Sequence, residues 1–279
     1  MPNSGEVKLV SYWQYWNLKA APFASNGRNC FFRGQSIDEA LARIEFICGQ
    51  RRNLATLLGS AGVGKSSLLN YLVANPPRQS GSAASRVTIV SMLGLTGGEL
   101  AIELARRLTG RRMQTAVDAW SALNDLLATA SRTESQTLLL IDDVESCGAE
   151  AENDLVRLVR AAGDAHTSVI LTIEAHLAST VSRWLMERSY LQIELPTWSL
   201  DQTREFLRFS LAQSGRSAEI FTDSATTCLH ELSRGTVRRL VQIADLALIA
   251  GAVARTSRID DSIVAQVAQE LPKPNSMAA

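Results

Sequence analysis

The 279-residue sequence predicts an α/β fold, a three-layer α/β/α core on a mostly parallel sheet followed by a small all-helical domain. Three observations carry this. Short apolar runs alternate with stretches of helical period as far as residue 195. Most of those runs are apolar throughout, as strands covered on both faces are. After Pro196 the strand pattern stops and only helical periods continue.

The elements follow in order. Tyr12-Trp13-Gln14-Tyr15-Trp16, with Leu18 and Pro22-Phe23, has neither period, and residues 1–35 read as an aromatic lead-in expected to pack against the core. Ser36-Ile37-Asp38-Glu39 reads as a capping box, and Ile37, Leu41, Ile44 and Ile47 recur behind it at helical spacing. Asn53 to Leu58 is a buried strand ending in a glycine-rich turn; Ser66 to Val73 is the helix beyond it, stopped by Pro76-Pro77. Residues 78–85 are small and polar, a loop. Strands are then expected at 86–92, 137–141, 168–173 and 190–195, and helices at 98–108, 116–130, 152–162 and 177–186. Beyond Pro196, helical periods cover 200–213, 223–233, 236–251 and 260–269. The expected organisation is therefore a core over 36–195, a helical domain over 196–271 and a tail over 272–279.

Charge narrows the partners only weakly. Basic and acidic residues number 28 each, and from Pro196 onward they are nine and nine. A dedicated nucleic-acid binder usually carries a basic excess. Only four residues are lysine (Lys8, Lys19, Lys65, Lys273), which makes Lys65 inside the glycine loop conspicuous. Cys30, Cys48, Cys147 and Cys228 are far apart without a Cys-x-x-Cys pair, the pattern of free thiols in a cytoplasmic protein. The N-terminus has no apolar run long enough for a secretion leader. Leu240 to Ala254 is the longest apolar-rich stretch, too short and too polar to span a bilayer.

Two motifs carry chemistry. Gly59-Ser60-Ala61-Gly62-Val63-Gly64-Lys65-Ser66, followed by Ser67, lies between an apolar strand and a helix and matches the P-loop pattern in full. Glycines let consecutive amides turn inward around phosphates, and the helix N-terminus adds partial positive charge. Lys65 is placed to reach the β- and γ-phosphates of ATP and the Ser66 hydroxyl to bind Mg2+. The second motif is Leu138-Leu139-Leu140-Ile141-Asp142-Asp143, an apolar strand delivering carboxylates to the sheet's edge. Asp142 there would organise the metal, and Asp143 would polarise the attacking water. The core is thus expected to be that of a P-loop NTPase with ATPase activity.

Over about residues 12–270 the chain resembles the AAA+ ATPases, and among them the group around general secretion pathway protein A. The likeness is carried by Trp16-x-Leu18 and Pro22-Phe23, the P-loop, the acidic strand and Gly235-Thr236-Val237-Arg238. The resemblance implies an oligomer, a helical lid after the core and three further site positions. Arg238 would be the second sensor, close to the γ-phosphate. Arg188, with Arg183 as the alternative, would be the arginine that completes a neighbouring subunit's site. Glu174, with Thr172 nearby, falls on the first sensor, where the family usually has an amide. Asp143 also departs from the family, which has glutamate there. Aspartate is one methylene shorter, and a misplacement of about an ångström costs on the order of a hundredfold in rate, so basal turnover is expected to be slow. Glu145 could compensate. The implied function is a motor or switch acting on a protein partner. The other reading is a DNA-associated regulator like the ATP-binding proteins of transposition, which share much of the core.

Overall fold

The computed structural model describes residues 11–23, 31–77, 86–163 and 166–272. The expected loop at 78–85, Cys30 and tail residues 273–279 lie outside that set. The chain divides into two compact units. One comprises Arg33–Pro196; the other comprises the described residues of Met1–Phe32 and Thr197–Ala279.

The first unit is built on five strands: β1 (Leu54–Gly59), β2 (Arg86–Ser91), β3 (Thr137–Asp142), β4 (Thr167–Glu174) and β5 (Leu191–Glu194). They form one sheet in the order β2-β3-β4-β1-β5, with every pairing parallel. Parallel neighbours need crossovers. The helix α2 (Gln35–Gly49) precedes β1, and α3 (Lys65–Ala74), α4 (Glu99–Thr109), α5 (Ala116–Thr133), α6 (Ala149–Ala162) and α7 (Arg183–Arg188) lie in those crossovers. They cover the sheet, so β1, β3 and nearly all of β4 are buried along their length. That explains why these strands read as unbroken apolar runs rather than alternating ones. β2, at the sheet's edge, does alternate.

Two local expectations are corrected. The N-cap of α2 is Gly34, and no side chain caps it; Ser36 already lies inside the first turn, where it cannot act as the cap. The helix expected at 177–186 is broken into a 3-10 turn over Ala175–Thr180 and α7. Between them Val181 turns into the core, and the Ser182 amide donates to the Glu152 carboxylate instead of continuing a helix.

The helical unit contains α8 (Leu200–Gln213), α9 (Asp223–Ser233), α10 (Val237–Val253) and α11 (Asp261–Glu270), with one short parallel bridge between Phe221 and Ile259. The aromatic lead-in belongs to this unit, where its residues Tyr12–Tyr15 form the short helix α1. Trp16, Leu18 and Phe23 are buried in the helical core, not in that of the α/β unit. The Trp16 indole donates to the Leu248 carbonyl at 2.9 Å, and the Tyr12 hydroxyl donates to Asp245 at 2.5 Å. Phe32 joins Trp198, Phe206 and Phe209 in an aromatic cluster there.

Cys48, Cys147 and Cys228 are free thiols, and burial pushes Cys48 up to about 12. Among the described residues no helix is long and apolar enough to cross a membrane.

Candidate nucleotide site

Parallel strands deliver their carboxyl ends to one edge of a sheet, where ligands of α/β proteins bind. Here β1 leads into the glycine loop and β3 into Asp142-Asp143, while Glu174 closes β4. Glu174 stands in register with Gly59, and Asp142 with Ser91 of β2.

The loop owes its path to its glycines. Gly62 and Gly64 take the left-handed region, with φ of 76° and 108°. Gly59 has no room for a side chain: an added Cβ would meet the Leu195 carbonyl at 2.7 Å. Val63 is buried and anchors the loop, and α3 begins directly behind Gly64. Ser60, Ala61, Ser66 and Ser67 are exposed around it. Lys65 is buried, and its ammonium donates to the carbonyls of Gly59 at 2.7 Å and Ser60 at 3.2 Å, which turns it in over the loop. Burial lowers its proton affinity; Glu174, Glu145, Asp142 and Asp143, in that order, oppose this with negative charge. The sheet's edge is thus an acidic frame around one cation, suited to a ligand that brings phosphates with a metal ion.

Asp142 is buried at the end of β3 and accepts a short hydrogen bond from the Thr172 hydroxyl on β4. The same hydroxyl accepts from the Asp143 amide at 3.1 Å. One buried threonine therefore orients the first carboxylate and the backbone of the second. Asp143 itself has a left-handed backbone, φ 56°, and its carboxylate accepts from the Ser91 hydroxyl at 2.8 Å. Glu145 follows in a 3-10 turn, Val144–Ser146; its Oε2 is buried without a hydrogen-bond partner among the described residues. Burial raises its proton affinity, countered by backbone hydrogen bonding at residues 145 and 174 and by Lys65. Glu174 is partly buried, with the His176 ring 3.5 Å away.

Of the residues singled out in the sequence, those of 59–67, Asp142, Asp143 and Glu174 meet at this edge. Thr172 does meet Asp142, as the residue that holds it. Ser91 escaped sequence reading altogether, since nothing local marks a serine at the end of an edge strand. Arg188 and Arg183 lie on α7. Arg183 is paired with Glu187 at 2.6 Å, whereas the Arg188 guanidinium lies 5.3 Å from the Trp184 ring centre. Arg238 is exposed in the first turn of α10, in the helical unit.

Comparison with known proteins agrees with the fold. Residues 48–181 match the family model described as AAA domain. No curated protein matches the chain significantly. Among solved structures, the chain is similar to Drosophila ORC bound to DNA, at 17% identity and a TM-score of 0.66, over 95% of this chain and 67% of that one. It is similar to the Aeropyrum pernix ORC1 protein in complex with DNA, at 14% identity and a TM-score of 0.68, over 94% and 69%. It is also similar to the Thermotoga maritima RuvB Holliday junction branch migration motor, at 16% identity and a TM-score of 0.58, over 90% and 73%. The fold is the P-loop AAA+ fold, and the match to the AAA domain model extends over residues 48–181 of it.

Proposed function

We propose that this AAA domain binds ATP in the loop over residues 59–67 and hydrolyses it within an oligomer, as a motor or switch that acts on a protein partner. The observation that carries it is the meeting of a left-handed glycine loop, an inward-turned Lys65 and the Thr172-held Asp142 at one sheet edge.

The chemistry follows from the side chains. The loop amides and the α3 N-terminus face the phosphates, and Lys65 exchanges its two carbonyl contacts for phosphate oxygens. The Ser66 hydroxyl and the Asp142 carboxylate are hard oxygen donors, a set that fits Mg2+, which takes one or two protein oxygens and keeps its waters. When bound, the ion would neutralise charge on the β- and γ-phosphates. An acidic side chain at the β3 end orients the attacking water. Its oxygen bonds to the γ-phosphorus as the bond from phosphorus to the ADP oxygen breaks.

Arg188 is our choice for the arginine that completes a neighbour's site, because Arg183 is already paired with Glu187. The Trp184 ring has two guanidinium groups near it, Arg188 at 5.3 Å and Arg160 at 4.9 Å from its centre. Arg238 is retained as the second sensor, and Glu174 as the first-sensor position beside the water. The likeness to secretion-pathway ATPases supports a protein as the partner.

The test is ATP turnover across a range of protein concentrations, with Lys65→Ala and Arg188→Ala alongside. Turnover that rises faster than linearly, disappears in Lys65→Ala and falls in Arg188→Ala with ATP still bound is expected. Failure of the wild type to bind ATP would overturn the reading.

The DNA-associated reading is favoured by one observation, that the similar ORC structures are described as bound to DNA. Duplex binding whose logarithm falls linearly with the logarithm of salt, with DNA-stimulated turnover, would select it, because phosphate contacts release counterions.

A further inference from the structure

Glu145 stands two residues beyond Asp143 in the turn Val144–Ser146, and that turn packs against β4 and against the turn Ala175–Thr180 that follows it. It is thereby folded back over the end of β4, the strand that lies between β3 and the P-loop strand β1. One of its carboxylate oxygens, Oε2, is buried without a partner among the described residues. A buried carboxylate oxygen left unpaired is costly, and packing alone does not offset that cost. Such a group is suited to accept a proton or a hydrogen bond from something that enters the site.

Asp143, the neighbour expected to act on water, is engaged elsewhere. Its carboxylate takes the Ser91 hydroxyl at 2.8 Å, and its amide is tied to Thr172. Its side chain is also the shorter of the two. Glu145 is among the carboxylates whose negative charge acts on Lys65, the cation that marks the γ-phosphate position in a P-loop.

Resting on the reading of this site as an ATPase, we propose that Glu145, rather than Asp143, takes the proton from the attacking water. The proton moves to Glu145 Oε2 as the water oxygen bonds to the γ-phosphorus and the phosphorus–oxygen bond to ADP breaks. It then passes to the released phosphate, which restores the carboxylate. Burial supports this role, because it raises the proton affinity of the Glu145 carboxylate and so makes it the stronger base.

The experiment compares wild type, Glu145→Gln and Asp143→Asn for binding of a fluorescent ATP analogue, for single-turnover hydrolysis with protein in excess, and for unfolding temperature. Glu145→Gln is expected to bind the analogue as wild type does and to hydrolyse at least about a hundredfold more slowly, the lower end of what a general base contributes. Asp143→Asn should lose less than about tenfold, since its carboxylate is replaced by a group that still meets Ser91. Glu145→Ala with added formate, a small carboxylate that can occupy the vacated volume, should recover part of the lost rate. Glu145→Gln that hydrolyses within about threefold of wild type overturns the assignment while leaving the ATPase reading intact. A wild type that binds the analogue but does not hydrolyse ATP at any concentration overturns both.

Discussion

Replacing Thr172 by valine tests whether a single buried hydroxyl organises the acidic end of β3. The side chain is fully buried; its hydroxyl donates to the Asp142 carboxylate and accepts from the Asp143 amide at 3.1 Å. Valine preserves the shape and the β-branched fit to the strand but removes both contacts. A hydrogen bond to a charged group contributes about 1.5–3 kcal/mol, and a buried amide left unpaired costs about 1–3 kcal/mol. The two losses share one oxygen and do not add fully, so a net cost of about 2–4 kcal/mol is expected. For a unit of this size that lowers the unfolding temperature by roughly 5–15 °C. The carboxylate also loses its fixed direction, and a displacement of about an ångström costs on the order of a hundredfold in turnover. Thermal unfolding by circular dichroism and the magnesium dependence of ATP turnover measure the two effects separately. Thr172→Ser keeps the hydroxyl and should retain most of the activity. A valine variant that unfolds within about two degrees of wild type, with unchanged magnesium dependence, would refute the argument that Thr172 holds Asp142.

Three other outcomes follow from the packing. Gly235→Ala should destabilise the helical unit by about 3 kcal/mol or more, because φ is +68° and a Cβ would stand 2.3 Å from the Trp198 carbonyl; denaturant unfolding measures it. Trp16→Phe should cost about 1–3 kcal/mol for the lost bond to the Leu248 carbonyl, together with lost packing against Gly251; unfolding followed by the remaining tryptophans would report it. Glu103, held down to about 2 mainly by the Arg106 hydrogen bond and also by Arg107, contributes stability above the ordinary glutamate range. That contribution is lost as pH falls through about 2, so Glu103→Gln should be slightly less stable than wild type at pH 7, by at most about 1 kcal/mol for this solvent-screened pair, and equal to it near pH 2 in a pH series of thermal melts.

The sequence by itself determined the features that reside in chain neighbours. The P-loop is eight consecutive residues whose glycines and lysine act through local backbone geometry, so strand, loop and helix could be read together. β3 was legible because a fully covered strand must be apolar at every position and its exit must bring the next residues, Asp142 and Asp143, to the sheet edge. The end of the strand pattern after β5 and the run of helices beyond it were visible as a change of period.

Tertiary structure alone decided what crosses long stretches of chain. Thr172 and Asp142 are 30 positions apart, and Ser91 and Asp143 are 52; they meet only because β2, β3 and β4 are adjacent in the sheet. Periodicity cannot see that order, since each strand's apolar pattern satisfies any covered parallel position. The break at Val181-Ser182 was hidden for a related reason: its cause is a core contact and the Glu152 carboxylate, both outside the window that gives a helical period. The aromatic lead-in has no period of its own, because its rings answer to α10 and the helical core more than 180 residues downstream. How the two carboxylates beyond β3 are held is decided in the same way. Asp143 and Glu145 are both acidic residues just beyond β3, and only the fold shows that Ser91 on a neighbouring strand holds the first, while one oxygen of the second is buried without a partner among the described residues.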